Sequence, residues 1–527
     1  MLRRSDYGIA LALALVVLIL GVWRLVPRVS GVFHDDAIYV STAKALAEGH
    51  GYRLINLPDA PRQTKYPILY PAILAIVWKS WPVFPDNLVA MQLISLLSAA
   101  AALGLIYLYL VRFEYCSRLT AALAVLLSAT TPLLLYIGTL TLSEMPFTLL
   151  ATVALWRVDA DLRNVATTRL HQLVTGVLLG TPYLCRTLGL SLIIAALVVL
   201  VWRRKPMVVT MLGTTAMVAP WMLWSAPPSV AWEANPIIGY YTDYAAGWSP
   251  PGLDALRVAT LNLLLLGAET ARIPLTAIDT GLKAVSLANP TPMFLLGAMA
   301  WVYVARRARH GDLLFSFVLL YGTVICLWPW RPWRFVIPIL PFLVTGLASA
   351  VAAVARRFLG RPRHQYVLAA AGLVAIVGNV IMVAGGVRAS HRDGYPYAFA
   401  PEVTATERVS WNAFEDLFAW IRSHAGKDEI MASGLDTMVA LYTGRPAFRP
   451  WVHRPLQQNY GFPGPRVGTP EELLDILRRN RARYLVNVPM ASTPFQRLVE
   501  DVAQQYPDSL VLVYRGADPR LTVFEVR

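Results

Sequence analysis

The chain has 527 residues, 56% of them hydrophobic and only 15% charged, and a mean hydropathy of +0.50. A soluble globular chain carries about 25% charged residues, so that class is excluded and a polytopic membrane protein is expected. The net charge of +15 does not point to nucleic acid, because the basic residues gather in short loops between apolar runs, as in Arg203-Arg204-Lys205, Arg306-Arg307-Arg309 and Arg356-Arg357-Arg361-Arg363. That is the positive-inside pattern, with those loops on the cytoplasmic side.

The first apolar run, from Ile9 to Val26, follows Met-Leu-Arg-Arg. It is long for a signal peptide and lacks a small-residue cleavage site, so it reads as a retained helix with its N-terminus inside. Just beyond it stand Asp35 and Asp36, in Gly31-Val-Phe-His-Asp-Asp-Ala-Ile-Tyr39. Carboxylates where a chain leaves the bilayer are costly to desolvate and face an aqueous cavity or a polar partner. Either could serve as a general base toward a hydroxyl. Neighbours on a helix point about 100° apart, so only one aims squarely at a given site. The competing role is capping, with Asp36 at the start of the run Ile38 to Leu46. His34 and His50 share this loop, but no HxxxH or HExxH spacing occurs and no metal site is expected.

Next comes Thr64-Lys65-Tyr66-Pro67-Ile68-Leu69-Tyr70-Pro71. Lys65 is placed to meet a lipid phosphate or to snorkel to the interface. Residues 67–80 are apolar but short for a span. Spanning helices are expected at 8–27, 88–111, 119–138, 142–159, 170–185, 187–202, 207–225, 290–306, 312–330, 333–355 and 366–386. Residues 256–275 are marginal, being interrupted by Glu269 and Arg272, which gives roughly 11–13 spans. Glu144 opens one helix at its outer end, where the helix dipole favours a carboxylate, and function is the alternative. Arg186 lies between two apolar runs and could bind phosphate or simply end a helix. In Trp328-Pro-Trp-Arg331-Pro-Trp-Arg334-Phe335, two arginines stand among three tryptophans. Their forked guanidinium groups suit phosphate oxygens, and an interfacial aromatic belt is the alternative.

Near residue 390 the composition turns polar. Helices are expected at 411–424 and 470–480, and strands at 428–433, 483–489, 509–515 and 521–526. The chain thus divides into a membrane part, 1–389, carrying an outer loop at 30–66, and a soluble extracytoplasmic α/β domain, 390–527. Cys116, Cys185 and Cys326 form no CxxC pair, and no P-loop or Rossmann glycine pattern occurs.

These motifs together resemble the C-type (GT-C) membrane glycosyltransferases, in the branch of the protein O-mannosyltransferases and the lipid A aminoarabinose transferase. The matching positions are the acidic pair with its tyrosine (Asp35, Asp36, Tyr39), the segment Lys65 to Tyr70, Glu144, and Arg334-Phe335 with Pro338 and Pro341. The resemblance implies an inverting transferase of the inner membrane that moves a sugar from a polyprenyl-phosphate lipid to an acceptor hydroxyl, without naming the sugar or the acceptor. It implies Asp35 as base, with Asp36 and Glu144 as further acidic candidates. Lys65, with Arg331, Arg334 or Arg186, would hold the donor phosphate. The chain departs from the pattern at Tyr66, at Phe335, at Glu144, where aspartate is frequent, and at Thr64, the last standing where the aminoarabinose enzyme has a metal-linked glutamate. The lipid-linked donor is a substrate, and no cofactor is expected. A transporter would also hold ionisable residues in a membrane cavity, but it commonly repeats a half and places charge at mid-membrane. A cell-envelope scaffold is the remaining reading.

Overall fold

The computed structural model describes residues 2–164, 168–244, 252–284, 290–359, 363–397, 409–489 and 494–527. Arg361, one of the loop arginines, lies outside them. Each expected span is helical. Among the described residues, five helices are long and apolar enough to cross a membrane: Arg4–Arg24, Leu88–Arg112, Val208–Ser225, Ile337–Phe358 and Gln365–Asp393. They become seven if two bent pairs count as spans, Arg118–Ala129 with Pro132–Gly138 (64°) and Leu253–Arg272 with Thr276–Lys283 (103°). The 11–13 expected from sequence include helices that are shorter or charged toward one end. Leu69–Ser80 and Leu313–Leu327 are short, and Glu144–Arg163 carries Arg157, Asp159, Asp161 and Arg163 in its last two turns.

The bundle has two chemically distinct ends. Glu144–Arg163 is 20 residues long, about 30 Å at 1.5 Å per residue, which matches the hydrocarbon thickness of a bilayer. At its Arg163 end the basic loops meet one another. Arg163 donates to the Phe113 carbonyl (2.6 Å), Lys205 to that of Asn164 (2.5 Å) and Arg203 to that of His310 (3.3 Å). The Glu144 end carries the loop that follows the first helix and the C-terminal sheet region.

The C-terminal region is built on a mixed five-stranded sheet: β1 (Ile430–Ser433), β2 (Ala447–Phe448), β3 (Ala482–Asn487), β4 (Leu510–Arg515) and β5 (Thr522–Val526), in the order β2-β1-β3-β5-β4. β1 runs parallel to both β2 and β3, and β5 is antiparallel to β3 and β4. The chain passes from β1 to β2 on one side and then crosses back over β1 to β3 on the other, so the direction of winding reverses at β1 and the carboxyl ends of these strands form the crevice where open α/β sheets hold ligands. That edge faces the bundle. One core on the sheet takes in Val26 and Val29 with Trp411, Phe414 and Met431. The other takes in Ile38, Leu54, Leu57 and Tyr241 with Phe448 and Trp451.

Candidate active site

The site begins with the loop before the helix Asp35–Ala47. Asp36, fully buried, turns back and accepts from the backbone N–H groups of Gly31 (2.7 Å) and Phe33 (3.2 Å) and from the Ser30 hydroxyl (3.5 Å). The expected capping position therefore shifts. His34 is the N-cap, and Asp36 stands in the first helical turn, pinning the loop rather than lining a cavity. Gly31, at φ +99°, passes so close to the soluble domain that an added Cβ would stand 2.4 Å from that of Met438. His34 has φ 69° and ψ −61°, and the Asp35 N–H donates to the Phe33 carbonyl at 2.9 Å. That is a γ-turn of the rare, strained hand. It sends the neighbouring side chains Asp35 and Asp36 to different destinations.

Asp35 points into a chamber of about 750 Å³. Its Oδ1 accepts from the Tyr66 hydroxyl (2.9 Å), and its Oδ2 accepts from Arg334 Nη1 (2.6 Å). The side chain is 18% exposed, whereas that of Glu144 is fully covered. Burial alone would raise the Asp35 carboxyl, but Arg334 and His34 outweigh it and hold the group well below the usual carboxylate range. Glu144 does not line the chamber. It sits behind and anchors two of its cations: Oε1 accepts from Arg334 Nε (2.5 Å) and pairs with Arg186 Nη1 (2.9 Å). Arg186 also donates to the Ser143 hydroxyl (2.9 Å), which is bonded to the Tyr39 hydroxyl (2.8 Å).

Lys65 lines the chamber and donates to the Tyr240 carbonyl (2.6 Å), with its ammonium 4.3 Å from the centre of that tyrosine's ring. Burial pushes the Lys65 ammonium down to about 8. Arg331, also on the wall, donates to the Asn459 carbonyl. The C-terminal sheet region closes the far side. Asp436 follows the end of β1, and Arg449 follows β2, both on the crevice edge of the sheet. Asp436 is bonded to His34 Nε2 (3.0 Å) and accepts from the Tyr241 hydroxyl (2.8 Å). Arg449 approaches Asp436 at 3.8 Å and His453 Nε2 at 3.3 Å, and the His453 ring stacks on Tyr240 at 3.6 Å. Burial, with Arg449 beside it, keeps His453 well below its ordinary value and therefore neutral.

Five basic side chains (Lys65, Arg186, Arg331, Arg334, Arg449) and one acidic side chain (Asp35) line the chamber among the described residues. Carboxylates meet Arg186, Arg334 and Arg449. Among the described residues none forms an ion pair with Lys65 or Arg331, so an anionic ligand would find two cations available. The opposite flank is apolar, with Leu190, Ile194 and Val324 on the wall and 39–48% exposed at the bundle surface. No three His, Cys, Asp or Glu side chains are gathered as a metal-binding set among the described residues. Of the seven residues singled out in the sequence, the chamber brings together Asp35, Lys65, Arg186, Arg331 and Arg334, but not Asp36 or Glu144. Tyr240, Asp436, Arg449 and His453 were not singled out, and no local pattern marks them.

No family model and no curated protein matches the chain in sequence. Solved structures do. ArnT from Cupriavidus metallidurans bound to undecaprenyl phosphate is similar at 14% identity and a TM-score of 0.53, covering 98% of this chain and 97% of that one. Its apo state gives 14% and 0.55, covering 99% and 98%. The Archaeoglobus fulgidus oligosaccharyltransferase, in a complex with Zn and sulfate, gives 13% and 0.56, covering 98% of this chain and 73% of that one. The chain has the fold of the GT-C membrane glycosyltransferases, with a helical membrane part and a small C-terminal sheet.

Proposed function

We propose that this protein is an inverting glycosyltransferase that takes a sugar from a polyprenyl-phosphate lipid and delivers it to an acceptor hydroxyl at the outer face of the cytoplasmic membrane. The observation that carries this reading is the convergence of a partly exposed carboxylate and several cations on one chamber with an apolar flank. Residues 1–389 form the membrane transferase part, and residues 390–527 form an extracytoplasmic domain that walls the site. By the positive-inside rule the end of the bundle with the basic loops is cytoplasmic, which puts Asp35 outside. The GT-C fold and the undecaprenyl phosphate held by the ArnT structure support a polyprenyl-phosphate donor.

In this mechanism the lipid tail lies along Leu190, Ile194 and Val324. Its phosphate meets Lys65 and Arg331, with Arg334 and Arg186 held toward it by Glu144. These cations stabilise the charge that grows on the leaving phosphate. Asp35 takes the proton of the acceptor hydroxyl as that oxygen attacks the anomeric carbon. A double displacement would need a second carboxylate as nucleophile or acid. Asp35 is the only acidic side chain on the wall among the described residues, which supports a single displacement with inversion. Asp36 and Glu144 act as holders, one of the loop and one of the guanidinium groups. The test is purified protein in lipid nanodiscs supplied with labelled undecaprenyl-phosphate-linked sugars. Release of undecaprenyl phosphate supports the reading; an intact donor with every sugar and acceptor offered sinks it.

A further inference from the structure

His34 stands between two carboxylates, one from each part of the molecule. Its Nε2 is 3.0 Å from Asp436 Oδ1 in the soluble domain, and its Nδ1 is 3.7 Å from Asp35 Oδ1 in the outer loop. The ring packs tilted against Tyr240 and Tyr241, and the backbone is held in the strained γ-turn that points it there. Each carboxylate is already matched by a guanidinium, Asp35 by Arg334 at 2.6 Å and Asp436 by Arg449 at 3.8 Å. The imidazole thus lies between two ion pairs rather than two bare anions. The other titratable neighbours are Lys65 and His453, both packed against Tyr240. A purely structural histidine would bond one carboxylate and turn its second nitrogen to any acceptor. Here that nitrogen faces the only acidic group that reaches the chamber among the described residues.

We infer that His34 is a proton relay: it receives from Asp35 the proton taken from the acceptor, while Asp436 fixes its tautomer from the soluble domain. The inference rests on the proposed transfer reaction. The acceptor O–H bond breaks, and its oxygen forms the new bond to the anomeric carbon. The bond from that carbon to the phosphate oxygen breaks, and its electron pair leaves with the lipid phosphate. The proton passes to the Asp35 carboxylate and then from Oδ1 to Nδ1 of His34, whose Nε2–H is already donated to Asp436. The product is an imidazolium beside Asp436. The relay requires the 3.7 Å gap to close to hydrogen-bond length in the substrate complex, as catalytic contacts tighten when substrate binds. Arg334 makes Asp35 a weak resting place for a proton.

The test is nitrogen NMR of 15N-histidine-labelled full-length protein in nanodiscs, with the His34 signals assigned by difference from His34→Gln. The relay requires a neutral ring at pH 7.5 with the proton on Nε2, and a titration that moves in Asp35→Asn and loses its fixed tautomer in Asp436→Asn. An imidazolium persisting to pH 9, or signals indifferent to Asp35→Asn, overturns it, and neither result depends on a substrate. With undecaprenyl-phosphate-linked sugar as probe, His34→Gln should slow turnover about 10²-fold, remove the acid limb of the pH profile and leave the melting temperature unchanged. An unchanged rate and profile would refute the relay. Absence of turnover in the unmodified protein would instead count against the transferase reading, leaving the NMR result to decide the relay.

Discussion

Asp35→Asn keeps an oxygen to accept from Tyr66 or Arg334 but cannot take a proton. Transfer should fall ~10²–10⁴-fold while the protein still folds and inserts, measured as release of polyprenyl phosphate; full activity would move the base elsewhere. Lys65 gives a pH prediction. Burial lowers it to about 8, so the charged form that meets phosphate is complete below that pH and is lost as pH rises through it. kcat/KM for the lipid donor should therefore decline above about pH 8, and Lys65→Arg should move that limb out of range. The sequence exposes such residues because a charge in a chain this apolar is conspicuous. Asp36 and Glu144 were as conspicuous as Asp35, yet both turn inward to satisfy a loop and two guanidinium groups. Only the backbone path at His34 separates those roles, and a strained φ leaves no mark in sequence. Asp436, Arg449 and His453 were illegible for the opposite reason. In a polar domain a charge is ordinary, and the crevice edge is known only once strand order is.

Secondary structure was legible where periodicity is strong and faint where burial is complete. Strands β1, β3, β4 and β5 and the helices Trp411–His424 and Pro470–Arg479 fall where alternation and amphipathic spacing put them. The helix Asp436–Thr443 was not read, since nearly all of it is buried and no polar face gives it a period. Phe495–Gln505 was missed although its stripe Phe495, Leu498, Val499, Val502 is a readable signal. Two packing predictions belong at this level. Glu144→Gln at the start of its helix leaves Arg186 without a carboxylate and Arg334 with only Asp35. Breaking a buried pair costs roughly 3–5 kcal/mol, so the melting temperature should fall together with activity. Gly31→Ala demands a positive φ and a contact 2.4 Å from Met438 Cβ. It should loosen the outer loop from the soluble domain, seen as faster hydrogen exchange at residues 30–34 and 436–443.

For the molecule as a whole, the two ends of the bundle must lie across a membrane from each other. In a protein cleared of its three native cysteines, cysteines placed at the exposed Lys427 and Arg204 should react with an impermeant maleimide from opposite sides of sealed vesicles; labelling from one side would overturn the orientation. The composition break near residue 390 was plain, but it marks a change of solvent rather than a seam. Val26 and Val29 complete one half of the tail's interior, while Ile38, Leu54, Leu57 and Tyr241 complete the other. A hybrid that borrows its tail from a distant homologue at that junction would inherit a sheet with its keystones missing. It should run as an aggregate on gel filtration, and it should recover only when residues 26–57 and 236–242 are transplanted along with the tail.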